Sequence, residues 1–234
     1  MVLIFNSAAY AAEPFAVVEL FTSEGCSSCP PADELLIQIA KEAKKQNLLI
    51  YTLGFHVDYW NQLGWKDPFS QAEFTDRQYL YAQKSNSSSV YTPQMIINGQ
   101  YGFTGSDRNK AWNTIKEELN KNTLLEIGIA MDPIQDNQYK FSYHMAHVPN
   151  DSTINIAIVE KNLSSEVTRG ENSGRTLLHT NAVRYFSASP LAQTSAQSVI
   201  NLSTQWKKEN LAVIVYVQDN KNMQILGVSQ IPKL

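Results

Sequence analysis

The stretch Val17 to Leu36, VVELFTSEGCSSCPPADELL, decides how this chain is read: an apolar strand pattern runs into Cys26-Ser-Ser-Cys29 at the start of a helix. Both cysteines of the 234-residue chain lie in it. This spacing lets two thiols close a disulfide across the first turn of a helix, where unpaired amides and the helix dipole favour a thiolate. That is the chemistry of a redox centre. The competing readings are a structural staple or half of a metal site, although a four-residue loop constrains little of the unfolded chain.

Working outward, Phe15 to Thr22 reads as a buried strand of β-branched and aromatic residues. Cys29 to Gln46 reads as a helix, with Pro30 and Pro31 in its first turn, Asp33 and Glu34 at its positive end, and Leu35, Leu36, Ile39 and Ala43 on one face. Leu48 to Phe55 is a second apolar strand, which completes a βαβ unit. An aromatic and polar loop, His56 to Phe69, leads to a helix over Ser70 to Gln83. Tyr91-Thr-Pro-Gln-Met-Ile-Ile-Asn-Gly99 then predicts a strand ending in an Asn-Gly hairpin, with a partner strand near Gln100 to Thr104. Ser106 is read as the N-cap of a last helix, Asp107 to Lys121.

Beyond Asn122 the period changes. Leu124 to Met131, Tyr139 to Ala146, Thr153 to Glu160, Thr176 to Ser187, Leu211 to Gln218 and Gln224 to Ile231 are strand-like runs separated by turns such as Asp132-Pro133. Ala192 to Lys208 is the one segment there with helical character. The expected organisation is an α/β unit over 13–122 and an antiparallel, sandwich-like all-β extension over 123–234, joined at Lys121 to Thr123 without a low-complexity spacer.

Composition narrows the functional classes. With 43% hydrophobic and 18% charged residues the chain is globular, and at net charge −3 with scattered lysines and arginines it has no patch to grip nucleic acid. Residues 1–12, MVLIFNSAAYAA, read as the latter part of a secretory signal peptide, against an ordinary N-terminal strand. No other run approaches the roughly 20 apolar residues of a membrane span. The expected location is periplasmic or secreted, where disulfides persist.

The order of elements, with Thr92-Pro93 before the third strand, resembles the thioredoxin superfamily. The resemblance implies a cis-proline at Pro93 beside the active cysteines, whose preceding backbone groups pair with an extended peptide or glutathione. It also likens Thr92 to Gly99, followed by Gly105-Ser106-Asp107, to the glutaredoxin segments that hold glutathione, with amides of Gly105 to Asp107 offered to a carboxylate. An ordinary trans-proline is the alternative. Closer still, ELFTSEGCSSCPPAD (Glu19 to Asp33), His56-Val-Asp-Tyr-Trp60, Gly64-Trp-Lys-Asp-Pro68, Tyr91-Thr-Pro-Gln94 and Glu171-Asn-Ser-Gly-Arg175 look like the signatures of a family of exported bacterial proteins of unknown function. That family combines a thioredoxin-like part with a β-rich extension.

The roles follow. Cys26 is the expected exposed attacking thiol and Cys29 the shielded resolving one. Glu19 is a candidate for the buried carboxylate that moves a proton to Cys29, against a partly solvated strand-end carboxylate. His56, Asp58, Tyr59 and Trp60 follow the second strand and so line its carboxyl end, where α/β sheets bind ligands. A loop packed by its aromatics is the competing reading, with Trp65, Lys66 and Asp67 shaping a lid. Glu171 to Arg175 is a polar loop able to reach over a neighbouring site, with Arg175 the candidate partner of a carboxylate, and with His179 and Arg184 following; a plain hairpin loop is the alternative. His144 and His147 face opposite sides of a strand and make a poor metal pair.

The leading reading is therefore an exported thiol-disulfide oxidoreductase, cofactor-free apart from its own disulfide, acting on a protein or small-thiol disulfide. The alternatives are a soft-metal module for copper(I) or zinc using Cys26, Cys29 and His56, and an interaction module with an inert disulfide.

Overall fold

The computed structural model describes residues 13–234, so the expected leader over residues 1–12 lies outside the described residues. The first half follows the order β1 (Ala16–Thr22), α1 (Pro30–Gln46), β2 (Ile50–His56), α2 (Ala72–Lys84), β3 (Gln94–Ile97), β4 (Tyr101–Thr104) and α3 (Arg108–Glu118). Asp107, not Ser106, caps α3: its carboxylate accepts from the Lys110 amide, a stronger acceptor for an orphan helix N–H than a hydroxyl.

The second half contains β5 (Gly128–Gln135), β6 (Gln138–His144), β7 (Ser152–Glu160), β8 (Leu163–Val167), β9 (Arg175–His179), β10 (Ala182–Pro190), β11 (Ser195–Asn201), β12 (Leu211–Asp219) and β13 (Ile225–Ile231). Three expectations change here. Thr176 to Ser187 is not one strand but β9 and β10, in different sheets, because the chain turns at Asn181 (φ 48°). Ala192 to Lys208 is not helical but carries β11, and Asp132-Pro133 lies inside β5 rather than in a turn. Proline is tolerated there because β5 is an edge of its three-stranded sheet, β11-β6-β5.

The fold is mixed α/β, with one large sheet and two smaller antiparallel ones. The large sheet has eight strands in the order β13-β12-β7-β10-β2-β1-β3-β4, so both halves of the chain contribute to it. The join is a parallel bridge between Ala182 of β10 and Gly54 of β2, supported by the Gly54 amide donating to the Asn181 carbonyl at 2.9 Å. Strand alternation then sorts the layers. Ala16, Val18 and Leu20 face α1 and α3, with Leu35, Leu36, Ile39 and Ile115. Val17, Phe21, Leu53 and Phe55 face the other way, onto Phe74 and Tyr81 of α2 and a common core with Val159, Ile214 and Tyr216. The three-stranded sheet covers Ile158, Val213, Val215 and Val217 with Tyr139, Phe141 and Ile200.

The Asn-Gly hairpin ties the halves together. Asn98 (φ 46°) and Gly99 (φ 74°) are both left-handed, the central pair of a turn that the Gln100 amide closes on the Ile97 carbonyl at 3.1 Å. A Cβ on Gly99 would stand 1.8 Å from the Met223 carbonyl oxygen in the β12–β13 turn. Gly99→Ala is thus expected to lose roughly 2 kcal/mol or more in urea unfolding, from backbone strain and a collision with main chain. A loss below about 0.5 kcal/mol would contradict this packing.

Candidate functional site

Cys26 and Cys29 form a disulfide with Cα atoms 5.4 Å apart. Cys29 is the N-cap of α1, and its carbonyl accepts from the Ala32 and Asp33 amides at 2.8 and 3.1 Å. The exposed edge of this turn is Ser27 and Ser28. The cysteines themselves are covered: Cys26 is 1% exposed and Cys29 0%, which corrects the expectation of a solvent-exposed Cys26. The second half of the chain binds the backbone of this turn. Asn172, fully buried in the loop between β8 and β9, donates to the carbonyls of Glu24 and Cys26, both at 2.9 Å. Glu171 accepts from the Ser27 amide at 2.9 Å, and hydrogen bonding from the Ser27 side chain, then from this amide, holds its carboxyl below the usual range. Among the described residues Arg175 pairs with no carboxylate of the first half; its guanidinium donates to Asn172 Oδ1 at 3.0 Å.

Beneath the turn lies a buried polar cluster centred on Glu24. Its carboxylate meets His179 Nε2 at 2.9 Å and accepts from the Trp65 indole at 2.8 Å, while its amide donates to Asp67 at 2.8 Å. Asp67 also meets His56 Nδ1 at 2.7 Å, and His56 stacks edge-on with His179 at 4.7 Å between centroids. Burial pushes the Asp67 carboxyl up, but its pairing with His56 and the amides of Glu24 and Phe69 outweigh that cost and hold it low. Asp33, one turn along α1 from Cys29, has its carboxyl pushed up to about 7 by burial, opposed by His179 and reinforced by Asp67 and Glu24.

Glu19 is elsewhere. As an odd-numbered residue of β1 it faces α2, where it is fully buried and bound by Arg77, Tyr81 and Tyr216. The structure therefore places it across the sheet from α1 and the cysteines, and Asp33 and Glu24 are the carboxylates on the cysteine side. Asp58 is held by Thr75 of α2, donating its amide at 3.1 Å and accepting the hydroxyl at 2.6 Å.

The Thr92-Pro93 bond is cis. A Cβ on Gly105 would sit 3.1 Å from Pro93 Cβ and 3.2 Å from Ala32 Cβ, so Gly105 lies between the prolyl segment and the first turn of α1. Trp60 closes the same corner, its indole donating to Thr92 Oγ1 at 2.8 Å and its Cβ lying 3.0 Å from where a Gly25 side chain would begin. The expected carboxylate cradle at Gly105 to Asp107 is not free: the Gly105 amide is taken by the Pro93 carbonyl and the Asp107 amide by Thr104. The end of the β3–β4 hairpin takes the first donor and the turn into α3 the second.

The model for proteins of unknown function called DUF1223 matches residues 17–218. The chain belongs to the DUF1223 family. An X-ray structure of a protein from Agrobacterium tumefaciens is similar over 95% of this chain and 96% of that one, at 25% identity and a TM-score of 0.68. A domain of the outer membrane lipoprotein Omp28 from Porphyromonas gingivalis matches 47% of this chain and 88% of that one, at 9% identity and a TM-score of 0.31. No curated protein is significantly similar to the chain.

In this DUF1223 member no group of three or more His, Cys, Asp and Glu residues is placed to hold a metal ion, among the described residues. His56 is engaged by Asp67 rather than brought to the sulfurs as a third ligand. No helix of the described residues is long and apolar enough to cross a membrane. Sequence reasoning missed Glu24 and Asp33 as site residues, although both stand within a few positions of the cysteines. It singled out the Glu171 to Arg175 loop as one that reaches over a neighbouring site, with Arg175 as the contact; the residue that makes the contact is Asn172, whose partners lie 146 and 148 residues away.

Proposed function

We propose that this chain is a thioredoxin-like thiol-disulfide oxidoreductase acting through Cys26 and Cys29, in an exported setting consistent with the reading of residues 1–12. One observation carries it: the disulfide stands at the start of α1, and the cis Thr92-Pro93 segment lies at the same corner, with Gly105 between Pro93 and Ala32 and with Trp60 reaching both Thr92 and Gly25. That pairing supplies a reactive sulfur at a positive helix end and a place for a substrate backbone.

In the oxidising direction a substrate thiolate attacks one sulfur, the Cys26–Cys29 bond breaks, and the other sulfur leaves as a thiolate that takes up a proton. A second substrate thiolate then attacks the mixed disulfide, releasing oxidised substrate and the reduced dithiol. Two electrons pass from substrate to protein. Asp33, buried and four residues beyond Cys29 on the same helix face, is the group suited to exchange that proton near neutral pH.

Burial of both cysteines favours a second reading, an inert disulfide within an interaction module. Turnover of insulin or glutathione disulfide separates them. Wild-type protein is expected to turn over, and Cys26→Ala and Cys29→Ala are each expected to fall to the uncatalysed background. Undiminished activity in the variants, or no wild-type turnover with a potential below about −300 mV, would defeat the oxidoreductase reading.

A further inference from the structure

We propose that the loop over residues 168–174 is a displaceable lid on the disulfide, latched by Asn172 and Glu171, and that its release admits the attacking thiol. The inference deepens the oxidoreductase reading and rests on it for its biological use, although the latch itself is tested without turnover.

The way the loop is held argues for a lid. Between residues 168 and 176, Asn172 is the only buried residue, so no apolar side chain anchors this segment. Its hydrogen bonds are two from Asn172 to the carbonyls of Glu24 and Cys26 and one from the Ser27 amide to Glu171, and Gly170 lies against the neighbouring loop, where a Cβ on it would stand 3.3 Å from Trp65 Cβ. A contact made of three hydrogen bonds and one seated glycine opens more readily than one built on buried apolar side chains, and such segments sit at the low end of local stability.

The loop is also built to move as one piece. The Gly174 amide donates to the Val167 carbonyl at 2.7 Å, the Arg175 amide to Asn172 at 3.2 Å, and Ser173 Oγ to Thr168 at 3.0 Å, so it keeps its shape when it leaves. Gly170 (φ 76°) and Gly174 (φ 80°) bracket it, and a Cβ on Gly174 would meet nothing within 4 Å. Below it the hairpin stays fixed, because Leu177 is buried and His179 holds Glu24. Opening therefore exposes the turn that contains the sulfurs without unfolding β8 and β9. The latch bonds end on the backbone of Glu24, Cys26 and Ser27, the segment that must relax when the sulfurs separate, so reduction and lid release favour each other.

The test reads the rate at which dithiothreitol reduces the disulfide in the full chain, followed by thiol alkylation. Asn172→Ala is expected to be reduced about tenfold faster than wild type, and Glu171→Ala about threefold faster. Both variants reduced at the wild-type rate would overturn the lid. If Asn172→Ala does not fold, Glu171→Ala decides, since it alters an exposed side chain, together with hydrogen exchange of wild type. Amides of residues 170–174 are expected to exchange at least tenfold faster than those of Leu36 to Ile39, and equal protection would overturn the proposal. Faster reduction without insulin turnover in any variant would keep the lid and reject the oxidoreductase.

Discussion

Arg77→Ala is expected to lower the unfolding free energy by about 3 to 5 kcal/mol, the cost of leaving a buried carboxylate unpaired. Arg77 is 5% exposed, and its Nη2 and Nε reach Glu19 Oε1 at 2.7 and 2.9 Å. The guanidinium also donates to Tyr81 and Gln218, and it packs between the rings of Phe186 and Tyr81, at 4.9 and 5.0 Å from their centroids. Because Tyr216 and Gln218 lie on β12 while Glu19 lies on β1 and Arg77 on α2, the cluster joins elements from both halves of the chain. Urea unfolding measures the loss. The double variant Glu19→Gln, Arg77→Met is expected to recover part of it, since no isolated charge remains. A loss of under about 1 kcal/mol in Arg77→Ala would mean that water reaches Glu19.

The second large effect is a pH dependence set by Asp33. Its carboxyl is raised from 3.8 to about 7, chiefly by burial. Between about pH 4 and pH 7 the unfolded chain has lost this proton while the folded chain keeps it, so the unfolded state binds fewer protons and stability falls as pH rises. The stability is fully present below about pH 4 and lost through about pH 7. A shift of about three units corresponds to roughly 4 kcal/mol at most. Asp33→Asn removes the dependence, and is therefore expected to exceed wild type by up to roughly that amount at pH 8 and to lose its advantage at pH 4. Urea midpoints at pH 4, 6 and 8 check it. Wild type and variant running parallel across that range would show that Asp33 is ionised in the fold throughout.

Elements with strong periodicity were legible before any coordinates. β1, α1, β2 and the Asn98-Gly99 hairpin fall within a residue or two of their expected bounds, because each carries a buried face or a backbone need that only certain residues meet. β11 was not legible. It is an edge strand with Ile200 as its one buried residue, so its polar sequence shows no alternation and its small residues imitate a helix. β8 escaped for a related reason, being five residues paired only with β9. At the site, the period of two in β1 already put Glu19 with Val17 and Phe21, but only the packing of α1 on the opposite face turned that parity into a separation from the cysteines.

By itself the sequence determined the disulfide pair, the helix it caps and the proline segment, since each rests on neighbours a few residues apart whose local bonding requirements are strict. Tertiary structure alone decided that one sheet runs through both halves, that Glu24 and Asp33 rather than Glu19 lie on the cysteine side of it, and that Asn172 binds the turn that carries the sulfurs. Those facts depend on contacts spanning more than a hundred residues, such as Asn172 to Cys26 and Tyr216 to Glu19. Such pairings are fixed by the burial of whole surfaces rather than by any local pattern, and a strand's own residues do not reveal which distant edge or loop will satisfy them.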